Sequence, residues 1–595
     1  MYLPELQEGQ QETLITTTFL GYNYHKIIQD GEMYDMGNLC GDSYPLLTTR
    51  RKRAYTVYPS SEPLQAIHGR DKLVMIRNNK VYYNGNNIGL TTTGDMPKKI
   101  VNLGAYTCIW PDKIYFNTAD LSDKGSMEIR KTLNGMNIQV YPCKADGTNY
   151  DMTKVTVGAN PPSNPANGAQ WIDTSGDKFI LKQYAESTKE WGEVYTTYVK
   201  LTVAGIGTGV REYDVLTIKG LTAETNADAK VKQSIADLNG DKIIYGSGDG
   251  YIIIAGIISR IEWALNNTVC TFVREVPDLD YICESNNRLW GCKFGLKDGQ
   301  MVNEIRACKL GDFRNWNCYM GLSSDSYAVS VGTDGEFTAA VSQRGYPVFF
   351  KEDCIHRISG SSPSSFQMTT TMCRGVENGA WRTAQVVNEA IIYKSRDGVM
   401  IYDGSMPVMV SDALGVTRYK GVSAGVTKGM YYICMVDSSD WPVIFKYDVE
   451  KQLWYKEDGF HAPYFARVGE SLYAIADNHG MNVLYDLMGR DGTLEGDRDW
   501  WATFGMFGTD YTNQKYLSRF NIRMSLAKDC EAHLYIKYDN DKSWTDEGRI
   551  KGSSTQTFMI PVVPRRCDHL QFKIEGKGDV TIYSISRVLE IGGDG

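Results

Sequence analysis

Proline is scarce in this sequence, 18 of 595 residues, and histidine scarcer, at seven. No run of eighteen apolar residues occurs, so no helix of the length that crosses a bilayer is expected. The longest apolar stretch, 251–265, is interrupted by Arg260 and Glu262. Low proline beside 58 glycines points to many tight turns rather than disordered linkers. No C-x-x-C spacing is present, and the thirteen cysteines are odd in number and scattered. A disulfide-stapled secreted scaffold is short and dense in cysteine, so these read as reduced core thiols of a protein made in a cytoplasm. The start, "MYLPELQEGQQETL", is acidic and polar and does not read as a secretory signal. A formal charge of −8 argues against a surface coated for nucleic acid but leaves room for a local basic patch.

What is abundant is tyrosine, 38 against 18 phenylalanines, a residue suited to pleated surfaces where one ring end stays wet. A short motif recurs with changed letters: a polar turn followed by β-prone residues. It is seen in "NNKVYYNG" (78–85), "PDKIYFNT" (111–118), "NNRLWGCK" (286–293), "KEDCIHRI" (351–358), "SRDGVMIY" (395–402) and "VGESLYAI" (468–475). The spacing is about 35–45 residues per unit, the period of propeller blades. A blade cannot bury both faces of its sheet alone, whereas stacked blades can. Packing asks only for bulky, β-prone residues at the inner positions, so the letters drift.

The expected fold is therefore all-β. A β-propeller of about seven blades occupies 61–130 and 271–490, after an extended lead-in at 1–60. Residues 131–270 break the rhythm and read as an inserted small mixed β domain, with its one helix in "TNADAKVKQSIADL" (225–238). Residues 491–595 alternate apolar and polar and read as a C-terminal β-sandwich.

Motifs of chemistry are thin. "GIGTG" (205–209) lies between two strands without the helix a dinucleotide loop needs. "DLNGDK" (237–242) has the opening ligands of a calcium loop, but Gly248 stands where the bidentate glutamate belongs. No cofactor, metal ligand set or catalytic residue is expected. "EGDRDWW" (495–501) sets Glu495, Asp497 and Asp499 beside Trp500 and Trp501, a text that suits a glycosidase and equally a strand entry. "SRDGVMIY" is one residue short of a sialidase Asp-box. Trp171, Tyr184 and Trp191 could form a glycan platform or a mini-core for the insertion. Arg50, Arg51, Lys52 and Arg53 are the strongest local charge feature, able to contact DNA phosphates or an adaptor protein, or to stand as a solvated strand entry.

The lead-in, "FLGYNYHKIIQDGEMYDMGNLCGDSYPLLTTRRKR" (19–53), resembles the opening of tailed-bacteriophage structural proteins. Asp30, Gly31, Glu32, Asp35, Met36, Asn38, Leu39, Tyr44, Pro45, Leu47, Arg50 and Arg53 fall on that pattern. The stretch 167–194 and the close, 565–593, look phage-like too. The described architecture it is most similar to is the tail nozzle, or packaged-DNA stabilisation protein, of short-tailed phages. The resemblance implies a virion structural protein that is no enzyme, assembled in the bacterial host cytoplasm. It also implies a homo-oligomeric ring, often a hexamer, docked on portal, adaptor or other tail proteins, with genomic DNA in its channel. A receptor-binding tail protein recognising a host surface glycan is the alternative.

Overall fold

The computed structural model describes residues 10–592, apart from 95, 266–268, 298, 479–480, 511, 529 and 553. The acidic start at 1–9 and His479 lie outside the described residues. The only α-helix among those described is Ala229–Ala236; nearly everything else with regular structure is strand. No helix there is long and apolar enough to cross a membrane.

The recurring motif builds antiparallel four-stranded meanders. Six span 64–91, 99–126, 281–330, 339–372, 385–409 and 420–457. A seventh is assembled from Tyr464–Val468, Ser471–Asn478 and Met481–Asp486, and takes its fourth strand, Ala54–Tyr58, from the lead-in. Two-residue loops join the first two strands at 104–105, 286–287, 344–345, 388–389, 428–429 and 469–470. At Asn286-Asn287, Arg344-Gly345, Asn388-Glu389 and Lys428-Gly429 both loop residues have positive φ. That is the type I′ turn, whose twist matches the strands it joins. Asn and Gly at these loops carry the repeat through changing letters.

The second strand of most meanders is buried on both faces. Leu73–Arg77, Tyr346–Phe350, Ala390–Lys394 and Met430–Val436 are covered along their length rather than at alternate residues. Fully burying one large apolar side chain contributes about 1.5–3 kcal/mol. Phe349 and Phe350 point to opposite faces and are both fully buried, so a meander with one face in water would forfeit several kcal/mol. The sheets must be stacked.

The chain divides into two compact units, 1–98 with 333–358 and 368–595, and 99–332 with 359–367. Within the first, the leading strands Ala339–Gln343, Gln385–Val387, Lys420–Thr427, Tyr464–Val468 and Leu64–Gly69 are neighbours in that order. The approach is closest at Gly69, where a Cβ would lie 1.8 Å from the Arg467 carbonyl oxygen. Within the second, Lys99–Leu103 lies beside Tyr281–Ser285.

The second unit also holds the insertion. Its first and last strands, Ile129–Leu133 and Cys270–Arg274, pair antiparallel, so the chain leaves and returns side by side. With seven strands from between them they form a nine-stranded sheet with its own core, including Ile138, Leu201, Leu216, Ile254 and Phe272. A separate four-stranded sheet, 155–193, packs Ile172 and Leu181 against Val231 of the helix. Asp228 caps that helix, its carboxylate accepting from the Val231 N–H.

The strands near the C-terminus alternate instead. Lys515–Leu526, Glu531–Tyr538 and Leu570–Lys577 each bury every second residue, the mark of sheets with one wet face. Their inner faces meet at contacts such as Phe520 on Phe572, ring centroids 5.1 Å apart. The separation of a lead-in at 1–60 from a sandwich at 491–595 needs correcting. Gln10–Thr16 and Leu47–Thr49 pair with Val580–Ile591, and Met33–Gly37 pairs with Asp499–Phe507. Both chain ends build this domain. The alternation could not show it, because short lead-in strands carry too little pattern to name their partners.

Two outcomes follow. Glu389 holds a left-handed conformation, φ 68°, that costs a non-glycine residue roughly 1–2 kcal/mol, so Glu389→Gly is expected to raise the unfolding free energy by about 0.5–1 kcal/mol in denaturant titration. Gly69→Ala should lower it by about 1–3 kcal/mol; an unchanged midpoint would refute the close approach of the two leading strands.

Candidate functional site

The basic run lies where the lead-in passes from the sandwich to the seventh meander. Arg50 and Arg53 are each 3% exposed. The Arg50 guanidinium donates through Nε to Asn38 Oδ1 at 2.7 Å, through Nη2 to Asp458 Oδ1 at 3.0 Å, and through Nη1 to Glu495. Arg53 donates to Glu457 Oε2 at 2.6 Å and lies 3.0 Å from Asp458 Oδ1. Asn38, itself at φ 58°, accepts from the Asp458 N–H and donates to the Asp499 carbonyl. Arg498 reaches the Arg50 carbonyl and Asp579. Burial disfavours the Arg50 charge, and Glu457, Glu495 and Asp458 more than restore it, holding its pKa above the ordinary range. Burial would likewise raise the Asp458 carboxyl, but Arg53 and Arg50 hold it below its ordinary value.

Arg50 and Arg53 therefore do not present a phosphate-facing surface: both are buried and paired with carboxylates, because a buried cation is tolerable only when paired. Arg51 and Lys52 lie further out, near Asp42 at 3.6 Å and Asp497 at 2.8 Å. Other lead-in residues are used in the same way. Asp35 accepts from Lys456 at 2.7 Å and from the Trp501 indole at 2.8 Å, and Asp30 pairs with the buried Arg587 at 2.9 Å.

The aromatic trio of the insertion does share a face. Trp171 stands opposite Lys182 and Tyr184 opposite Trp191, while Ile172 and Leu181 turn to the helix. The rings touch, Trp191 lying 5.5 Å from both Trp171 and Tyr184. Trp171 is 4% exposed and its indole donates to the Gly158 carbonyl. It has no free ring face for a sugar, because the sheet uses it as core. Beneath it Asp173, bonded to Lys182 and Ser175, is held down to about 2.

The remaining motifs resolve into turns. In "DLNGDK" Asn239 bridges the backbone of Leu221 and Asp241 accepts from Thr217. The Gly207 of "GIGTG" faces the Gly248 carbonyl, where a Cβ would lie 2.0 Å away. Ser395 of "SRDGVMIY" closes a hairpin by donating to the Gly398 carbonyl. In "EGDRDWW" Glu495 serves Arg50, Asp497 faces Lys52, and Trp500 is buried.

Two constellations escaped the sequence reading. "GVSAG" (421–425) spells G-x-S-x-G, but Ser423 is mid-strand, fully buried, and donates to the Ala462 carbonyl; no strand-to-helix elbow exposes it. Cys354 Sγ lies 3.5 Å from His356 Nε2. Burial raises that thiol, and burial with Lys351 nearby lowers the imidazole to about 4. Threonines 333 and 370 occupy both ring nitrogens. A thiolate–imidazolium pair needs the opposite shifts. Among the described residues no group of three His, Cys, Asp or Glu is placed to hold a metal ion.

No protein-family model and no curated protein matches the chain. Among solved structures it is similar to the extracellular domain of a one component system from B. thetaiotaomicron, at 9% identity, 93% of this chain, 95% of that one and TM-score 0.25. It is also similar to the phage phi92 endosialidase, at 8% identity, 79% and 75% coverage and TM-score 0.25. A third likeness is to an exo-β-1,3-galactanase from Phanerochaete chrysosporium, at 6% identity, 77% and 100% coverage and TM-score 0.18. These are weak likenesses to β-rich proteins.

Arg50→Met should cost about 1–3 kcal/mol of stability, since it unpairs Asn38 and the part-exposed Glu495 and leaves Glu457 and Asp458 with Arg53 alone; a loss under 1 kcal/mol in chemical denaturation would remove the junction from its structural role. Asp173 has a depressed folded pKa, so its contribution is present above the unfolded value of 3.8 and lost as pH falls toward about 2. Asp173→Asn should accordingly lose less stability than the parent between pH 5 and pH 3.

Proposed function

We propose that the chain is a non-enzymatic structural protein of a phage tail or neck. In this reading the seven meanders are the blades of one propeller, and copies of the chain form a ring that extends a DNA channel. The carrying observation is what the lead-in does. Residues on which the phage resemblance rests, Asp30, Asp35, Asn38, Arg50 and Arg53, are those that tie the N-terminal strands to the last meanders and the sandwich. The order of leading strands in the first unit supports a radial arrangement of blades. So does the completion of the seventh meander by Ala54–Tyr58, because a strand shared between chain ends is a way to leave no free edge.

With Arg50 and Arg53 spent internally and Arg51 and Lys52 beside carboxylates, the proposed contact with DNA is weak. A net-negative wall holding few phosphates lets a duplex slide. Head-to-tail contacts between copies close into rings, and the insertion and sandwich supply docking surfaces for neighbouring tail proteins.

Electron microscopy of the purified chain is expected to show closed rings, and antibody labelling should place them at the tail or neck of the virion. Monomers only, at micromolar concentration and with no virion label, would defeat this reading.

A further inference from the structure

The insertion contains a cleft of about 350 Å³ that no motif announced. Its floor is apolar: Phe179 from the small sheet, Leu238 at the end of the helix, and Ala255, Gly256 and Ile257 from the nine-stranded sheet and its exit. Its walls are polar, with Gln233 and Asp237 on the helix side, Lys242 on a strand, and the irregular stretch Tyr195–Thr197 opposite. The size falls in the range of small-molecule sites, about 300–1,000 Å³.

The cleft mixes engaged groups with uncommitted ones: Lys230 donates to the Thr174 carbonyl and Gln233 to Asp237, while four other groups are open. Among the described residues Tyr195 makes no hydrogen bond or ring contact and is 91% exposed. The Thr196 hydroxyl, the Asp177 carboxylate and the Lys242 ammonium are likewise without partners. Other polar side chains of the insertion are engaged, among them Asp173, Asn239 and Asp241. The charges lining the cleft nearly cancel, Asp177 and Asp237 against Lys178, Lys230 and Lys242, and Lys178 already lies 3.7 Å from Asp237. A phosphate or nucleotide would want an unbalanced cluster of cations. Neutral hydroxyls want interspersed acceptors and donors, and a pyranose ring wants an aromatic face beside them.

We propose that this cleft binds a neutral saccharide. The Tyr195 ring stacks on the apolar face of the sugar, Asp177 accepts from ring hydroxyls, and Lys242 and Thr196 donate to them. The assignment is independent of the ring and virion reading, and it moves glycan recognition away from the Trp171 face to the other side of the small sheet.

Saturation-transfer NMR on the full chain, with glucose, galactose, N-acetylglucosamine and their common disaccharides, tests it. At least one sugar should receive saturation. Tyr195→Ala, an exposed change that leaves folding intact by circular dichroism, should weaken that sugar's binding about five-fold, the worth of one stacked ring. Asp177→Asn should weaken it as well. No transfer to any sugar of the panel, transfer untouched by both substitutions, or competition by inorganic phosphate would each overturn the assignment.

Discussion

Two arginines hold the ends of this chain together. Arg50 and Arg53 lie between a lead-in strand that belongs to the sandwich, Leu47–Thr49, and one that completes the seventh meander, Ala54–Tyr58. Their guanidiniums meet Glu457, Asp458 and Glu495, which come from the sixth meander and the link that follows the seventh. Ion pairs this buried add little net stability over apolar packing, but breaking one is costly. Their value is in register: a planar fork accepts only one arrangement of three carboxylates and an asparagine. Leu47–Thr49, the strand just before the junction, has too few residues to select a partner by hydrophobic pattern.

The meanders are organised by a different constraint. A second strand buried on both faces cannot stand at a free surface, so each sheet requires neighbours. The sandwich strands, with alternate burial, need only one partner sheet. The boundary between these regimes falls where the pattern changes from the continuous runs of Met430–Val436 to the alternation of Lys515–Leu526.

Much of this was readable in the letters. Loops such as Asn-Asn announce tight hairpins because only a few residues tolerate positive φ. The helix, expected within 225–238 and found at Ala229–Ala236, was legible because Ala229, Val231, Ile235 and Leu238 recur on one side. The candidate sites fared differently. A cationic run reads alike whether its charges face solvent or buried carboxylates four hundred residues away, as Arg53 and Glu457 do. "GVSAG" spells a nucleophile elbow until the strand around it buries the serine.

By itself the sequence determined the local geometry: turn types, strand lengths, the all-β class, and which strands need cover on two faces. These follow from steric limits and side-chain volume acting over a few residues. Tertiary structure alone decided that both termini share one domain, that Arg50 and Arg53 are internal struts, that Trp171 is core, and that Tyr195 and Asp177 face one cleft. Those outcomes depend on distant segments meeting, where pairing of charge and exclusion of water are settled by partners the local pattern does not encode.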